Sequence, residues 1–201
     1  MNSLPQQLLK RIKQRGKGWV FTPHAFADLG ESVNLAIALN RLSNRKVIRR
    51  LTRGVYDYPR SHEKLGELFP PAEAIANAIA ERDGIRLLPS GAYAANLLGL
   101  SEQVPAKVVF LTDGKPRKIR IEKLIIEFRR GAPRYMALAA TEAGMVIQAL
   151  RHLGKEHVTD TTIKLLRTKL SKQSKKSLLQ TINTVPGWMR PHIRVICREV
   201  E

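Results

Sequence analysis

The chain has 201 residues, of which 43% are hydrophobic, and it carries a formal net charge of +18 at pH 7. This hydrophobic content is enough to form a core, which excludes a mainly disordered chain. The positive charge predicts a polyanionic partner such as nucleic acid. No apolar run is long enough to cross a bilayer, and the first residues lack the apolar core of a signal peptide. We therefore expect a cytoplasmic protein that does not act at a membrane.

The charge is distributed unevenly along the chain, and its distribution suggests two domains. Residues 1–60 contain 12 Lys and Arg against three Asp and Glu, whereas residues 61–100 contain three against five. Pro59 and the polar residues that follow it are typical of a linker. We predict an α+β protein with an N-terminal domain at 1–60 and a C-terminal domain at 61–201, which has a mixed part (61–135) and a helical part (136–201).

The first elements are short and closely spaced. Apolar residues at helical spacing predict a first helix that ends at Gly16, and the apolar segment 19–21 predicts a short strand. Residues 24–29 predict a short second helix. Gly30 then provides a turn, and the Ser32 side chain is suited to cap a third helix by accepting a backbone N–H.

The third helix, residues 32–43, is amphipathic. Its predicted core-facing residues are Leu35, Ala38, Leu39 and Leu42. The opposite face carries amide and guanidinium groups, which can pair with adenine and guanine edges in the major groove of DNA. The candidate base-contacting residues are Ser32, Asn34, Ile37 and Arg41. The simpler alternative is that this face is merely solvated.

A basic hairpin follows the third helix. Two short apolar segments flank a tight turn at Arg53-Gly54, and Pro59 ends the second of them. The order of helices and hairpin predicts a winged helix-turn-helix, in which the hairpin is the wing. The candidate phosphate-contacting residues are Arg45, Lys46, Arg49, Arg50 and Arg53. Such flexible cations position a protein on DNA without reading its sequence.

The middle of the chain predicts helices at 72–82 and 89–100 and a small antiparallel sheet. Its strands are expected at 108–111, 118–121 and 124–128, with Asp113-Gly114 as a turn. The glycines of residues 89–105 resemble a phosphate-binding loop, but the Gly-Lys-Ser/Thr ending of such loops is missing. Packing of a helix through small residues is the better interpretation.

The last third predicts helices at 136–153, 160–170 and 174–182. The latter two present a basic face that consists of Lys164, Arg167, Lys172, Lys175 and Lys176. That face is able to bind RNA, DNA or an acidic protein, or it is an ordinary solvated surface. The single Cys197 is interpreted as a small core residue.

The sequence does not predict an enzyme. None of the five aspartates is paired in the way that nucleotidyl transfer with two metal ions requires. His152 and His157 lack the four-residue spacing of a helical metal pair. Ser90-Gly91 resembles part of a nucleotidyltransferase motif, but no downstream carboxylates accompany it. We expect a binding protein with no cofactor and no metal.

Several segments resemble the AbiEi-type antitoxin family in their order. They are KLGELFPP at 64–71, PSGAYAANLLGLSEQVP at 89–105, the Thr112-Asp113-Gly114 strand end and VPGWM at 185–189. The resemblance implies an antitoxin of a bacterial type IV toxin–antitoxin system linked to abortive phage infection. It implies an N-terminal winged helix that represses its own operon at inverted repeats, and a C-terminal domain that counteracts a nucleotidyltransferase-like toxin. The alternative is a general basic DNA- or RNA-binding protein without an antitoxin role.

Overall fold

The computed structural model describes residues 3–103 and 105–198 and is a mixed α+β structure. The described residues form two compact units, which divide after Gly84. No helix in either unit, within those residues, is long and apolar enough to cross a membrane. The expected α+β class is confirmed.

The described residues of the first unit form three α-helices, a single 3₁₀ turn and five short strands. Its elements are α1 (Leu4–Arg15), β1 (Val20–Phe21), the 3₁₀ turn (Pro23–Phe26), α2 (Ser32–Asn44), β2 (Arg49–Thr52), β3 (Val55–Asp57), β4 (Arg60–His62), β5 (Gly66–Leu68) and α3 (Ala72–Asp83). Strands β1, β3 and β2 form an antiparallel sheet in that order, and β4 pairs with β5. The predicted second helix at 24–29 is only the 3₁₀ turn.

Aromatic rings form the centre of this unit. Phe21 and Phe26 are buried, and their ring centroids lie 5.5 Å apart with the planes nearly perpendicular. Leu8 and Ile12 of α1 are buried in the same cluster as Leu39 of α2. Full burial of a side chain of this size contributes about 2 to 3 kcal/mol, so this cluster fixes α2 in place through its apolar face.

The first unit extends beyond the predicted boundary near residue 60. The predicted linker, residues 60–64, lies largely in the β4–β5 hairpin, and α3 packs on β1 and β3. Ile75 and Ile79 of α3 are buried. Helix α3 ends at Asp83 and is followed by Gly84, which adopts the left-handed conformation with φ of 62°. The charge change near residue 60 therefore lies inside one compact unit and does not mark a boundary between units. The acidic residues of α3, which contribute to this change, are on the surface of the unit.

The second unit combines a four-stranded sheet with helices. Its elements are β6 (Leu87–Ser90), α4 (Ala92–Leu97), β7 (Lys107–Thr112), β8 (Arg117–Ile121), β9 (Leu124–Arg130), α5 (Pro133–Met136), α6 (Glu142–Leu153), a 3₁₀ turn (Lys155–His157), α7 (Asp160–Lys169), α8 (Lys172–Gln180) and α9 (Met189–Cys197). The strand order is β6-β7-β9-β8.

The sheet is antiparallel at its two outer pairings, but β7 and β9 are parallel. Asp113-Gly114 therefore does not join two paired strands as expected. The hairpin turn is Glu122-Lys123, between β8 and β9, where Glu122 adopts a positive φ of 52°. Asp113 instead accepts hydrogen bonds from the backbone N–H and the guanidinium of Arg86, both at 2.8 Å. These bonds connect the end of β7 to the start of β6.

Two predicted helices are interrupted in the structure. The helix expected at 89–100 begins only at Ala92, because Pro89 lies in β6. Strand β6 is at the edge of the sheet, where a proline without an N–H is tolerated. The helix expected at 136–153 begins at Glu142, since Ala140 is left-handed and the Thr141 hydroxyl accepts the N–H of Gly144 at 3.1 Å.

Helix α6 lies at the centre of the second unit's core. It contacts β6, α4 and α8, and its residues Val146, Ile147, Ala149 and Leu150 are fully buried. Helices α7 and α8 pack on α9, and Cys197 at the end of α9 belongs to the same core. Cys197 is only 8% exposed, which confirms its interpretation as a core residue, and burial raises the pKa of its thiol.

Candidate nucleic-acid interface

Helix α2 separates its apolar and polar residues as the sequence predicts. The four core-facing residues, Leu35, Ala38, Leu39 and Leu42, are all buried. The four candidate base-contacting residues, Ser32, Asn34, Ile37 and Arg41, are all exposed. One side of the helix therefore anchors it in the first unit, and the other side is open to a partner.

The exposed face of α2 is more apolar than expected. Val33 and Ile37 are exposed by 65% and 48% and follow each other at a spacing of one helical turn. Val33 is not among the predicted base-contacting residues, although its position outside the predicted core-facing set indicated an exposed side chain. Ser32 does not cap the helix, because Glu31 occupies the cap position and makes no side-chain capping bond.

The β2–β3 hairpin follows α2 directly. Its turn lies at Arg53-Gly54, and Gly54 has a positive φ of 73°, which glycine adopts without a steric penalty. The side chains of Arg50 and Arg53 are exposed. Among the described residues, neither of them forms a salt bridge. Both guanidinium groups are therefore available to a partner.

Arg49 differs from its neighbour Arg50. Its guanidinium donates to both carboxylate oxygens of Asp57, at 3.0 and 2.7 Å, and to the Leu68 carbonyl at 2.8 Å. The Asp57 side chain is only 1% exposed. Burial raises the pKa of Asp57, while Arg49 opposes this effect. Arg49 therefore stabilises the fold between β3 and β5, a role that differs from the predicted phosphate contact.

Arg45 and Lys46 lie at the end of α2 and are exposed. Lys46 adopts a left-handed conformation with φ of 57°, and its N–H donates to the Ser43 carbonyl at 2.9 Å. A lysine in this conformation carries a steric cost of about 1 kcal/mol. Lys46 thus occupies a position that glycine would fill more easily.

The basic face predicted near the C-terminus is only partly exposed. Lys164, Lys172 and Lys176 are exposed on α7 and α8, whereas Arg167 and Lys175 are half-buried. The Arg167 guanidinium donates to the Arg198 carbonyl at 3.2 Å, so it connects α7 to the end of α9. These five residues belong to the second unit, and the candidate base and phosphate contacts belong to the first.

The described residues contain no group of three or more His, Cys, Asp or Glu side chains arranged to hold a metal ion. Comparison with curated proteins found no match. A protein family described as a family of unknown function, DUF6088, matches residues 7–178. The match includes α2, the β2–β3 hairpin and most of the second unit. The chain is therefore a member of the DUF6088 family.

Proposed function

We propose that this protein binds double-stranded DNA through α2 and the β2–β3 hairpin, and that it represses its own operon as the antitoxin of a bacterial toxin–antitoxin system. One observation carries the DNA-binding proposal. Residues 32–56 contain six Lys and Arg and no Asp or Glu, and they form a helix with an exposed polar face followed by a hairpin. Such a segment suits a polyanionic groove.

The order of elements supports a winged helix-turn-helix. Helix α1, strand β1, the 3₁₀ turn and α2 precede a β2–β3 hairpin, and β3 lies between β1 and β2 in the sheet. In helix-turn-helix proteins, the second helix of the motif enters the major groove with its N-terminal residues against base edges. By this analogy α2 is the recognition helix and the hairpin is the wing.

The exposed side chains of α2 offer complementary base contacts. A carboxamide such as that of Asn34 can pair with adenine, and a guanidinium such as that of Arg41 can pair with guanine. Ile37 and Val33 offer apolar contact to thymine methyl groups. Arg45, Lys46, Arg50 and Arg53 are assigned to phosphates, and Arg49 is omitted because Asp57 already neutralises it.

The antitoxin role rests on the resemblance to AbiEi-type antitoxins, in which a nucleotidyltransferase-like toxin is the functional partner. The exposed lysines of α7 and α8, Lys164, Lys172 and Lys176, are the candidate surface for this role. In a test of the division of roles, the full-length variant Arg41→Ala should lose repression of the promoter yet still rescue growth from the cognate toxin. Loss of rescue in that variant, with normal protein levels, would contradict separate sites.

The DNA-binding proposal is tested by a gel-shift titration of the protein on its own upstream DNA and on a scrambled duplex of equal length, at two salt concentrations. Sequence-specific binding should persist at the higher salt on the upstream DNA, with bands that map to repeated half-sites. Equal, salt-sensitive binding to both duplexes would instead favour a general basic nucleic-acid-binding protein.

A further inference from the structure

A cavity in the second unit is lined by cationic and polar side chains. Its volume is about 470 Å³, which lies within the range of small-molecule sites. It is bounded by the end of β6, the end of β9, α5 and the last turns of α6. Arg130, Arg134 and Arg151 line it, and none of the described residues that line it is an Asp or a Glu.

The positions of two of these arginines are fixed by an aromatic ring and not by a carboxylate. The guanidinium carbons of Arg134 and Arg151 lie 4.9 and 4.5 Å from the ring centroid of Tyr135. Because both lie near the same ring, these two positive charges are less than 10 Å apart. Among the described residues neither forms a salt bridge. Their mutual repulsion favours the entry of an anion.

A buried hydrogen-bond donor in the cavity wall is left unpaired by the part of the chain that the structure describes. Gln148 is only 4% exposed and accepts a hydrogen bond from the Ser90 hydroxyl at its Oε1 atom, at 3.2 Å. Its Nε2 atom is buried and has no hydrogen-bond partner among the described residues. Burial of an unsatisfied donor is unfavourable, so a ligand atom that accepts from Nε2 would remove this penalty.

We propose that this cavity binds a small molecule that carries a phosphate group. A phosphomonoester has up to two negative charges and several acceptor oxygens, which match guanidinium donors better than a single carboxylate does. The cavity volume of about 470 Å³ leaves room for further ligand atoms beside the phosphate group. Gln148 is only 4% exposed, and a small ligand can enter a cavity to reach a buried donor more readily than the backbone of a rigid DNA duplex can, which favours a small ligand over nucleic acid.

The proposal is tested by isothermal titration calorimetry of the full-length protein with inorganic phosphate, with adenosine 5′-monophosphate and with adenosine, at constant ionic strength. We expect saturable binding of phosphate or of the monophosphate, and none of adenosine. Arg151→Gln should weaken this binding about tenfold or more. The control Arg194→Gln removes an exposed arginine of α9, outside the cavity, and should leave the affinity unchanged.

Gln148→Met separates ligand binding from folding. It removes the unpaired Nε2 donor together with the acceptor of the half-buried Ser90 hydroxyl, so the thermal unfolding midpoint should change little while phosphate binding weakens. Absence of saturable binding, equal binding of adenosine, or an equal loss in Arg194→Gln would overturn the proposal. Competition with DNA gives one further contradicting outcome. The proposal would be overturned if duplex DNA displaced the monophosphate and if the Arg151→Gln variant lost as much DNA affinity as the Arg50→Ala variant. The calorimetric outcomes do not depend on α2 or on the β2–β3 hairpin, so a failure of the phosphate-binding proposal is distinguishable from a failure of the DNA-binding proposal.

Discussion

Two strands, one in each unit, contain adjacent arginines that have opposite environments. In β2, Arg49 is paired with the buried Asp57, and Arg50 is exposed. In β9, Arg129 is paired with Glu127, and Arg130 lines the cavity. Because neighbouring residues of a strand point to opposite sides, each pair divides into one arginine that stabilises the fold and one that is available to a ligand. A carboxylate partner, and not exposure alone, distinguishes the two roles.

The two carboxylates of this comparison respond to pH in opposite ways. Burial raises the pKa of Asp57, so ionisation of this carboxyl lowers the free energy of unfolding at neutral pH. Hydrogen bonds from Arg129, followed by Lys107, lower the pKa of Glu127 to about 2. Ionised Glu127 therefore stabilises the fold above the ordinary carboxylate pKa, and this contribution is lost as the pH falls through about 2.

The largest expected effect comes from breaking the ion pair between Arg49 of β2 and the buried Asp57 of β3. Arg49→Met leaves the Asp57 carboxylate buried without its cation, which should lower the free energy of unfolding by about 3 kcal/mol at pH 7. The loss should shrink in acid, because protonation removes the uncompensated charge. Urea denaturation at pH 7 and pH 4 measures both effects. Arg50→Met is the matched control and should change stability by less than about 0.5 kcal/mol.

The next effect concerns base reading by α2. If Arg41 contacts a base, Arg41→Ala should cost about 1 to 3 kcal/mol of binding to the upstream DNA and relax specificity. Arg50→Ala should instead weaken binding to all sequences alike and reduce the salt slope by about 1. Titrations on the upstream and scrambled duplexes distinguish the two. A uniform loss in both variants would refute the assignment of Arg41 to a base.

A smaller effect is expected from the pair in β9, because Arg129 and Lys107 are each about half exposed. Glu127→Gln should lower the stability of the protein at pH 7. The difference from the wild type should persist down to the ordinary carboxylate pKa and then disappear as the pH approaches 2. Chemical denaturation along a pH series tests this, and a difference that grew on acidification would show that the sign is wrong.

The smallest expected effect comes from a substitution at Lys46, just after α2, where the charge and the backbone conformation of the residue have opposite consequences. Lys46→Gly removes a cation but relieves the left-handed conformation, so stability should rise by up to about 1 kcal/mol while DNA affinity falls. Thermal unfolding and DNA titration of the same preparation measure the two changes. A loss of stability would mean that the lysine side chain supports the helix end.

The features that the sequence predicts correctly are local. The buried face of α2 follows from the spacing of Leu35, Ala38, Leu39 and Leu42, and the turn at Arg53-Gly54 follows from its glycine. The parallel pairing of β7 with β9 was not predictable in this way, because β8 lies between them in the sequence and outside them in the sheet. A turn dipeptide such as Asp113-Gly114 does not specify which strands it joins.

The candidate sites depend even more on distant contacts. Arg49 resembles its neighbours in sequence, and its role appears only when the antiparallel register places it opposite Asp57. The cavity requires Ser90, Arg130 and Gln148 to converge from separate elements. The arginine-rich segment at 129–134 was a partial signal, but charge composition alone does not distinguish paired arginines from unpaired ones.

The most direct test of the DNA interface is chemical-shift mapping of the ¹⁵N-labelled protein during titration with its upstream duplex. We expect the largest changes at the amides of the first turns of α2 and at the β2–β3 turn. Changes concentrated on α7 and α8 or around the cavity, with α2 unaffected, would contradict the assignment of DNA binding to the first unit.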